Sequence, residues 1–248
     1  MQIAVLFVGG QPLRDIVSIG RAAEDAGCAS LYMVEAYRSA WVALTALASA
    51  TRHVNLGPYV LNAYARSPLL TGMTALDFQE YSAGRLCLGI GGGNRVINEE
   101  WQGIAHARVL TKMREYVEIL QRMARSRPGT PLEYSGQVHR MRWTPAVATS
   151  EVPFLVFLAA VFPSMLRVAA SVADGIAGGA TLSPRYLRET LRPQAATYAA
   201  AADRDPAGLR WKSVMFTAVS PDRERARQAA RTALCGLFAP LPHPYYEY

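Results

Sequence analysis

The chain holds 248 residues, 51 % hydrophobic and 18 % charged. That composition excludes a disordered chain and is enough for a sizeable core in one large α/β domain or barrel. The formal charge is +7, but the basic residues, nearly all arginine, are scattered without a stripe, an aromatic platform or a zinc spacing, which argues against a nucleic-acid partner.

Strand and helix alternate from the start. The run 2–8 is a short apolar strand that ends at Gly9 and Gly10. A helix follows over about 13–26, with Ile16, Ile19 and Ala23 on one face and Gly27 at its C-terminal stop. Residues 30–35 form a second strand and 40–52 an alanine-rich helix. A third strand spans 53–61, and the loop 62–68 leads to a helix that Gly84 ends. A fourth strand, 85–90, runs into Gly91, Gly92 and Gly93, and 94–106 reads as irregular.

The clearest helix is 108–125, where Val109, Met113, Tyr116, Val117, Leu120 and Met123 fall at helical spacing. Residues 132–143 read as a hairpin turning at Ser135–Gly136. The fifth to seventh strands are 152–158, 174–177 and 209–219, with helices at 164–172, 184–202 and about 221–233. Continuously apolar strands alternating with helices indicate a parallel sheet covered on both sides. An open doubly wound sheet and a (βα) barrel both fit, and the strand count with glycine-ended strands favours the barrel, whose site lies at the C-terminal strand ends. The domain expected is one α/β barrel of the TIM type over 1–248, with an excursion at about 127–150 and a proline-rich tail at 234–248.

Cys28, Cys87 and Cys235 are odd in number and widely spaced, which fits a reducing compartment and no disulfide framework. His53, His106, His139 and His243 form no ligand pair, so no metal is expected. The most apolar run, Val152 to Val161, is about half the length that spans a bilayer, and no basic n-region precedes the first strand. A soluble cytoplasmic protein without a membrane partner is expected.

Three segments carry candidate chemistry. The run 89–94 lets a flat ring or a phosphate approach the backbone. It lacks the Gly-Lys-Ser/Thr of a P-loop, and Asn94 stands where a dinucleotide fingerprint needs glycine; a tight turn remains the other reading. The loop 62–66 offers an amide, a phenol and a cation in Asn62, Tyr64 and Arg66, or else is a solvated loop. Glu35 ends the second strand, placed for acid–base work, for orienting a ring or for capping a nearby backbone donor.

Taken in order, 30–38, 54–68, 82–94, 114–120 and 152–179 resemble the bacterial luciferase-like superfamily of flavin- or deazaflavin-dependent barrel oxidoreductases. Within it they are most similar to the coenzyme F420-dependent methylenetetrahydromethanopterin reductase-like branch. The resemblance implies a ring lying over the strand ends, with Glu35, Asn62 and Arg66 as catalytic candidates. It implies a bulge with a non-proline cis peptide near Tyr59–Val60 behind the ring, and a glycine-rich turn at Gly91, Gly92, Gly93 and Asn94. It also implies a phosphate site at Ala159, Ala160, Phe162, Pro163 and Ser164 facing Gly178 and Gly179.

The match departs from the family at several positions. Phe162 stands where glycine commonly precedes the proline. Ala63 and Ser67 replace the usual proline and histidine around Arg66, and Ala36 stands where some relatives place histidine. No eighth strand is legible after Ala233, so the expectation is a truncated form, or a gap covered by a partner chain or by Phe238, Leu241 and Tyr245. The activity implied is hydride transfer between coenzyme F420 and a small organic substrate, in a possible homo-oligomer. The alternatives are an FMN-dependent monooxygenase, a non-catalytic flavin-binding protein and a sugar-phosphate barrel enzyme without a redox cofactor.

Overall fold

The apolar strand runs become parallel strands with helices laid over them, and 132–143 forms a separate antiparallel hairpin. The computed structural model describes residues 2–146, 151–180 and 182–238. The first half comprises β1 (Ala4–Phe7), α1 (Leu13–Asp25), β2 (Ser30–Met33), α2 (Ala40–Ala50), β3 (Asn55–Pro58), β4 (Leu61–Asn62), α3 (Pro68–Tyr81) and β5 (Cys87–Gly91). Then come a π-helical turn (Val96–Glu100), α4 (Val109–Ala124), β6 (Leu132–Ser135), β7 (Arg140–Trp143), β8 (Leu155–Ala159), α5 (Pro163–Val172) and β9 (Gly175–Gly178). The chain continues through α6 (Pro184–Tyr186), a second π segment (Leu187–Leu191), α7 (Arg192–Ala200), β10 (Arg210–Ser213) and α8 (Arg223–Phe238).

The parallel strands succeed one another as β1-β2-β3 and β4-β5-β8-β9-β10. A parallel bridge from Leu56 to Leu86 joins the two groups. This succession of strand and covering helix is the order of a (βα) barrel. Consecutive residues, whose side chains point to opposite faces, are buried in Leu31–Tyr32–Met33, Val156–Phe157–Leu158 and Ile176–Ala177, so these strands are covered on both faces. No described helix is long and apolar enough to cross a membrane.

Local sequence explains the helix positions. Ser67 Oγ accepts the N–H of Leu70 at 3.1 Å, and Pro68 occupies the first helical turn, so α3 starts there. Ile16, Gly20 and Ala23 form the buried face of α1. Gly20 admits Leu47 of α2, which would collide with any larger residue.

Two carboxylates fix loops that their own sequences leave open. Glu24, on α1, accepts the N–H groups of Arg52, His53 and Val54, at 2.7 Å for His53. Glu115, on α4 and buried, accepts those of Gln137, Val138 and His139 at 2.6, 3.0 and 2.7 Å. Burial alone would raise the Glu115 pKa, but these three N–H groups outweigh it, and it lies below the ordinary value.

Several boundaries differ from the sequence reading. The hairpin turns at Gln137–Val138 rather than at Ser135–Gly136, because Ser135 pairs with Arg140 and the Gly136 N–H donates to His139 O at 2.9 Å. The Glu115 carboxylate decides this register, a contact from another element that turn propensity cannot report. The strand expected over 53–61 is two pieces, β3 and β4, separated at a cis Tyr59–Val60 peptide, where the family resemblance implies one. The segment 94–106, read as irregular, contains the π-helical turn. The strand expected over 209–219 pairs only over Arg210–Ser213. The helix expected over 184–202 contains a π segment. Leu241 and Tyr245 lie outside the described residues, as does the side chain of Phe238.

Candidate functional site

The C-terminal ends of β2, β4 and β5 gather the first half of the site. Glu35 follows β2, Asn62 closes β4 and Arg66 lies in the next loop. Arg66 approaches the Glu35 carboxylate at 3.7 Å, and both side chains are largely shielded from solvent. Burial raises the Glu35 pKa; Arg66 and the Ala40 N–H oppose that rise without cancelling it.

Asn62 faces protein on both sides of its amide. Its Oδ1 accepts the Tyr64 N–H at 2.9 Å, and its Nδ2 donates to Asn98 Oδ1 at 2.7 Å. Asn98 is fully buried; its Nδ2 donates to Gly92 O at 2.8 Å and lies 2.7 Å from His106 Nδ1. His106 stacks on Tyr64 at 5.2 Å, and the Tyr64 hydroxyl donates to Ala107 O at 2.6 Å. Burial is the main force holding the His106 pKa below its ordinary value. The loops after β4 and β5 are thus one hydrogen-bonded unit, with Asn98 at its centre. Asn98 escaped the sequence reading because 94–106 has no helical apolar spacing. The only available signal was a second asparagine four residues after Asn94.

The glycine run has more than one task. A Cβ on Gly89 would stand 2.5 Å from Pro58 O, and one on Gly91 2.6 Å from Val60 Cγ2. These two admit the irregular third strand. A Cβ on Gly92 would meet Val109 Cγ1 of α4 at 3.1 Å, so a side chain there would point towards α4. Gly93 has φ +64°, and its Cβ would meet Asn98 Oδ1 at 2.9 Å and Asn62 Nδ2 at 3.0 Å. Asn94 Oδ1 accepts the Ile97 N–H at 2.8 Å and starts the π-helical turn.

The second half of the site lies at the ends of β8 and β9. Phe162 precedes α5, with Pro163 in its first turn, and its side chain makes no capping hydrogen bond. The first-turn N–H groups of Ser164 and Met165 have no intrahelical acceptor. Ala160 N donates to Ala177 O at 3.2 Å, and Val161 Cγ2 lies 3.3 Å from where a Cβ on Gly179 would stand. Ala159–Ser164 and Gly178–Gly179 therefore face each other. Neither segment contains an acid, so open N–H groups and the positive end of a helix dipole meet small residues there, a setting suited to a phosphate. Tyr59 joins the two halves, its hydroxyl donating to Gly178 O at 2.7 Å.

A flat ring system with an anionic tail fits this donor set: a neutralised Glu35–Arg66 pair and a rigid loop on one side, an acid-free helix start on the other. Beneath them, Lys212 lies 3.8 Å from the Phe157 ring and donates to the Tyr32 hydroxyl. Burial is the main cause of its lowered pKa.

Comparison with known proteins identifies the family and the fold. The family model described as luciferase-like monooxygenase matches residues 1–247. The chain is 30 % identical to a 5,10-methylenetetrahydromethanopterin reductase of Archaeoglobus fulgidus, over all of this chain and 73 % of that protein. It is 26 % identical to the protein of the same name from Methanolobus tindarius, over all of this chain and 74 % of that one. Among solved structures, a coenzyme F420-dependent tetrahydromethanopterin reductase from Methanopyrus kandleri superposes with a TM-score of 0.84 at 22 % identity, covering 95 % of this chain and 71 % of the other. An F420-dependent secondary alcohol dehydrogenase, in complex with an F420–acetone adduct, superposes with a TM-score of 0.85 at 18 % identity, covering 100 % and 78 %. At these identities the superpositions establish the barrel fold.

Proposed function

This chain belongs to the luciferase-like monooxygenase family, a family of enzymes, and from that premise we propose that it is an oxidoreductase that uses coenzyme F420 to exchange a hydride with a small organic substrate. The observation that carries the reading is the pairing of two half-sites on one rim. The Glu35–Arg66 pair stands on the β2–β4 side, and the open start of α5 faces Gly178–Gly179 on the β8–β9 side.

The deazaflavin supplies the hydride chemistry when bound, and the protein supplies position and electrostatics. The N–H groups of Ser164 and Met165 would hold the deazaflavin's anionic tail. Burial raises the Glu35 pKa and Arg66 opposes the rise, so Glu35 is the group placed to hold a proton beside the bound ring. Asn62 is a positioning residue: Asn98 and the Tyr64 N–H fix it, and through it the loop that presents Arg66. The buried hydrophobic strands below would keep water from a ring bound at the strand ends.

Titration of the purified protein with F420 and, separately, with FMN tests the reading. Saturable F420 binding that weakens as salt rises, followed by substrate-dependent bleaching of the reduced or oxidised chromophore, is the expected result. Binding of FMN alone would transfer the chain to the oxygen-activating members of the family, and binding of neither would end the proposal.

A further inference from the structure

Two aromatic rings stand in solvent at the rim of this site. Tyr37, two residues beyond Glu35, is 80 % exposed, and Trp101, at the end of the π-helical turn, is 55 % exposed. Their ring centroids are 6.1 Å apart at 44°, too close to admit a third ring between them, so they form a wall rather than a sandwich.

Both rings have firm supports. The Tyr37 loop is tied by Arg38, whose Nε donates to Gly9 O at 2.7 Å. Trp101 N donates to Val96 O at 3.2 Å, across the turn whose Asn98 locks Asn62 and Gly92. Fold stability gains little from large rings held in water, and exposed apolar groups of this size at a cleft mark a contact surface. Of the ionic side chains nearest in sequence, Glu35 is engaged with Arg66, Arg95 with Glu99 and Arg38 with Gly9 O, while the exposed Glu100, next to Trp101, leaves one carboxylate beside the wall. His106 is biased towards its neutral form. A wall of this kind, with the Glu100 carboxylate beside it, suits a flat ring without negative charge better than an acid or a flexible aliphatic chain.

We propose that Tyr37 and Trp101 form a stacking wall that selects a substrate with a planar aromatic ring free of negative charge. The inference rests on the oxidoreductase reading for the word substrate. The wall itself is measurable whether or not F420 binds. Trp101 is the main stacking surface, and Tyr37 holds it upright and extends it.

The test is calorimetric titration of the purified protein with 2-acetonaphthone, a flat aromatic ketone, and with cyclohexyl methyl ketone, in the absence and presence of F420. Saturable binding of the aromatic ketone, with binding of the aliphatic one about tenfold weaker, is expected. Trp101→Leu and Tyr37→Leu should each weaken 2-acetonaphthone by about tenfold, Trp101→Phe by less than about threefold, and none should alter the affinity for F420. Both side chains are exposed, so circular dichroism should show the fold retained. No binding of 2-acetonaphthone in either condition, equal binding of the two ketones, or losses below threefold in both leucine variants would overturn the proposal. Failure of F420 to bind, with the ketone results intact, would sink only the cofactor reading.

Discussion

The Asn62 Nδ2 donates to Asn98 Oδ1 at 2.7 Å, across 36 residues and between two buried side chains. This bond makes the loops after β4 and β5 one object. Asn98→Ala leaves the Asn62 amide, the Gly92 carbonyl and His106 without a shared partner. A loss of about 2–3 kcal/mol in denaturant unfolding is expected. F420 affinity should fall by about tenfold or more as the loop relaxes. Wild-type stability in the variant would mean that water replaces the amide.

Gly93 is the member of the glycine run whose conformation itself demands glycine, with φ +64° and two amides close to its missing Cβ. Gly93→Ala should cost about 1–3 kcal/mol and weaken F420 binding. Gly92→Ala points towards Val109 and should act through α4 packing, with the smaller effect on binding. Parallel unfolding and titration curves for the two variants separate these roles.

Glu115 and the hairpin make a pH prediction. The folded-state pKa of Glu115 lies below its unfolded value of about 4.5. Its contribution is therefore present above that unfolded value and lost as pH falls through the folded one. Glu115→Gln should destabilise the protein by about 2 kcal/mol at pH 7, and by much less at pH 3. Amide exchange at Gln137, Val138 and His139 should rise in the variant. Equal destabilisation at both pH values would show that the charge is irrelevant.

Glu35 has the opposite sign. Its folded-state pKa is raised, mainly by burial, with Arg66 opposing. The folded protein then holds this proton more readily than the unfolded chain, so stability declines as pH climbs from the unfolded pKa towards the folded one. Arg66→Met should raise the Glu35 pKa further and enlarge the stability lost between pH 4 and pH 8. A carboxyl NMR titration of Glu35 in both proteins reads the shift directly, and an unchanged titration would remove Arg66 as its partner.

Lys212 carries a depressed pKa in the barrel interior, chiefly through burial. The folded state binds this proton less readily than the unfolded chain, so stability should rise as pH increases from the folded pKa towards about 10.5. Lys212→Met should remove that dependence. It should also be more stable at pH 7 by about 1 kcal/mol, as desolvation of the amine outweighs its contacts with Phe157 and Tyr32. Chemical denaturation at pH 7 and pH 9.5 distinguishes the outcomes, and a less stable methionine variant would show those ring contacts to dominate.

Local pattern alone determined the alternation of strand and helix, the presence of a helix after the loop at 62–68 and the glycine-ended strands. Each depends on residues adjacent in sequence, whose backbone preferences and apolar spacing act within a turn or two. The sequence also pointed to Glu35, Asn62, Arg66 and the glycine run, because strand ends in a barrel are where chemistry gathers. It could not say that the Asn62 amide faces Asn98, that Gly92 faces α4, or that the hairpin turns at Gln137–Val138. Those outcomes rest on partners 36, 17 and 22 residues away. A buried carboxylate or amide must find its hydrogen bonds wherever the fold brings donors within reach, and that distance in space is not written in any local run of residues.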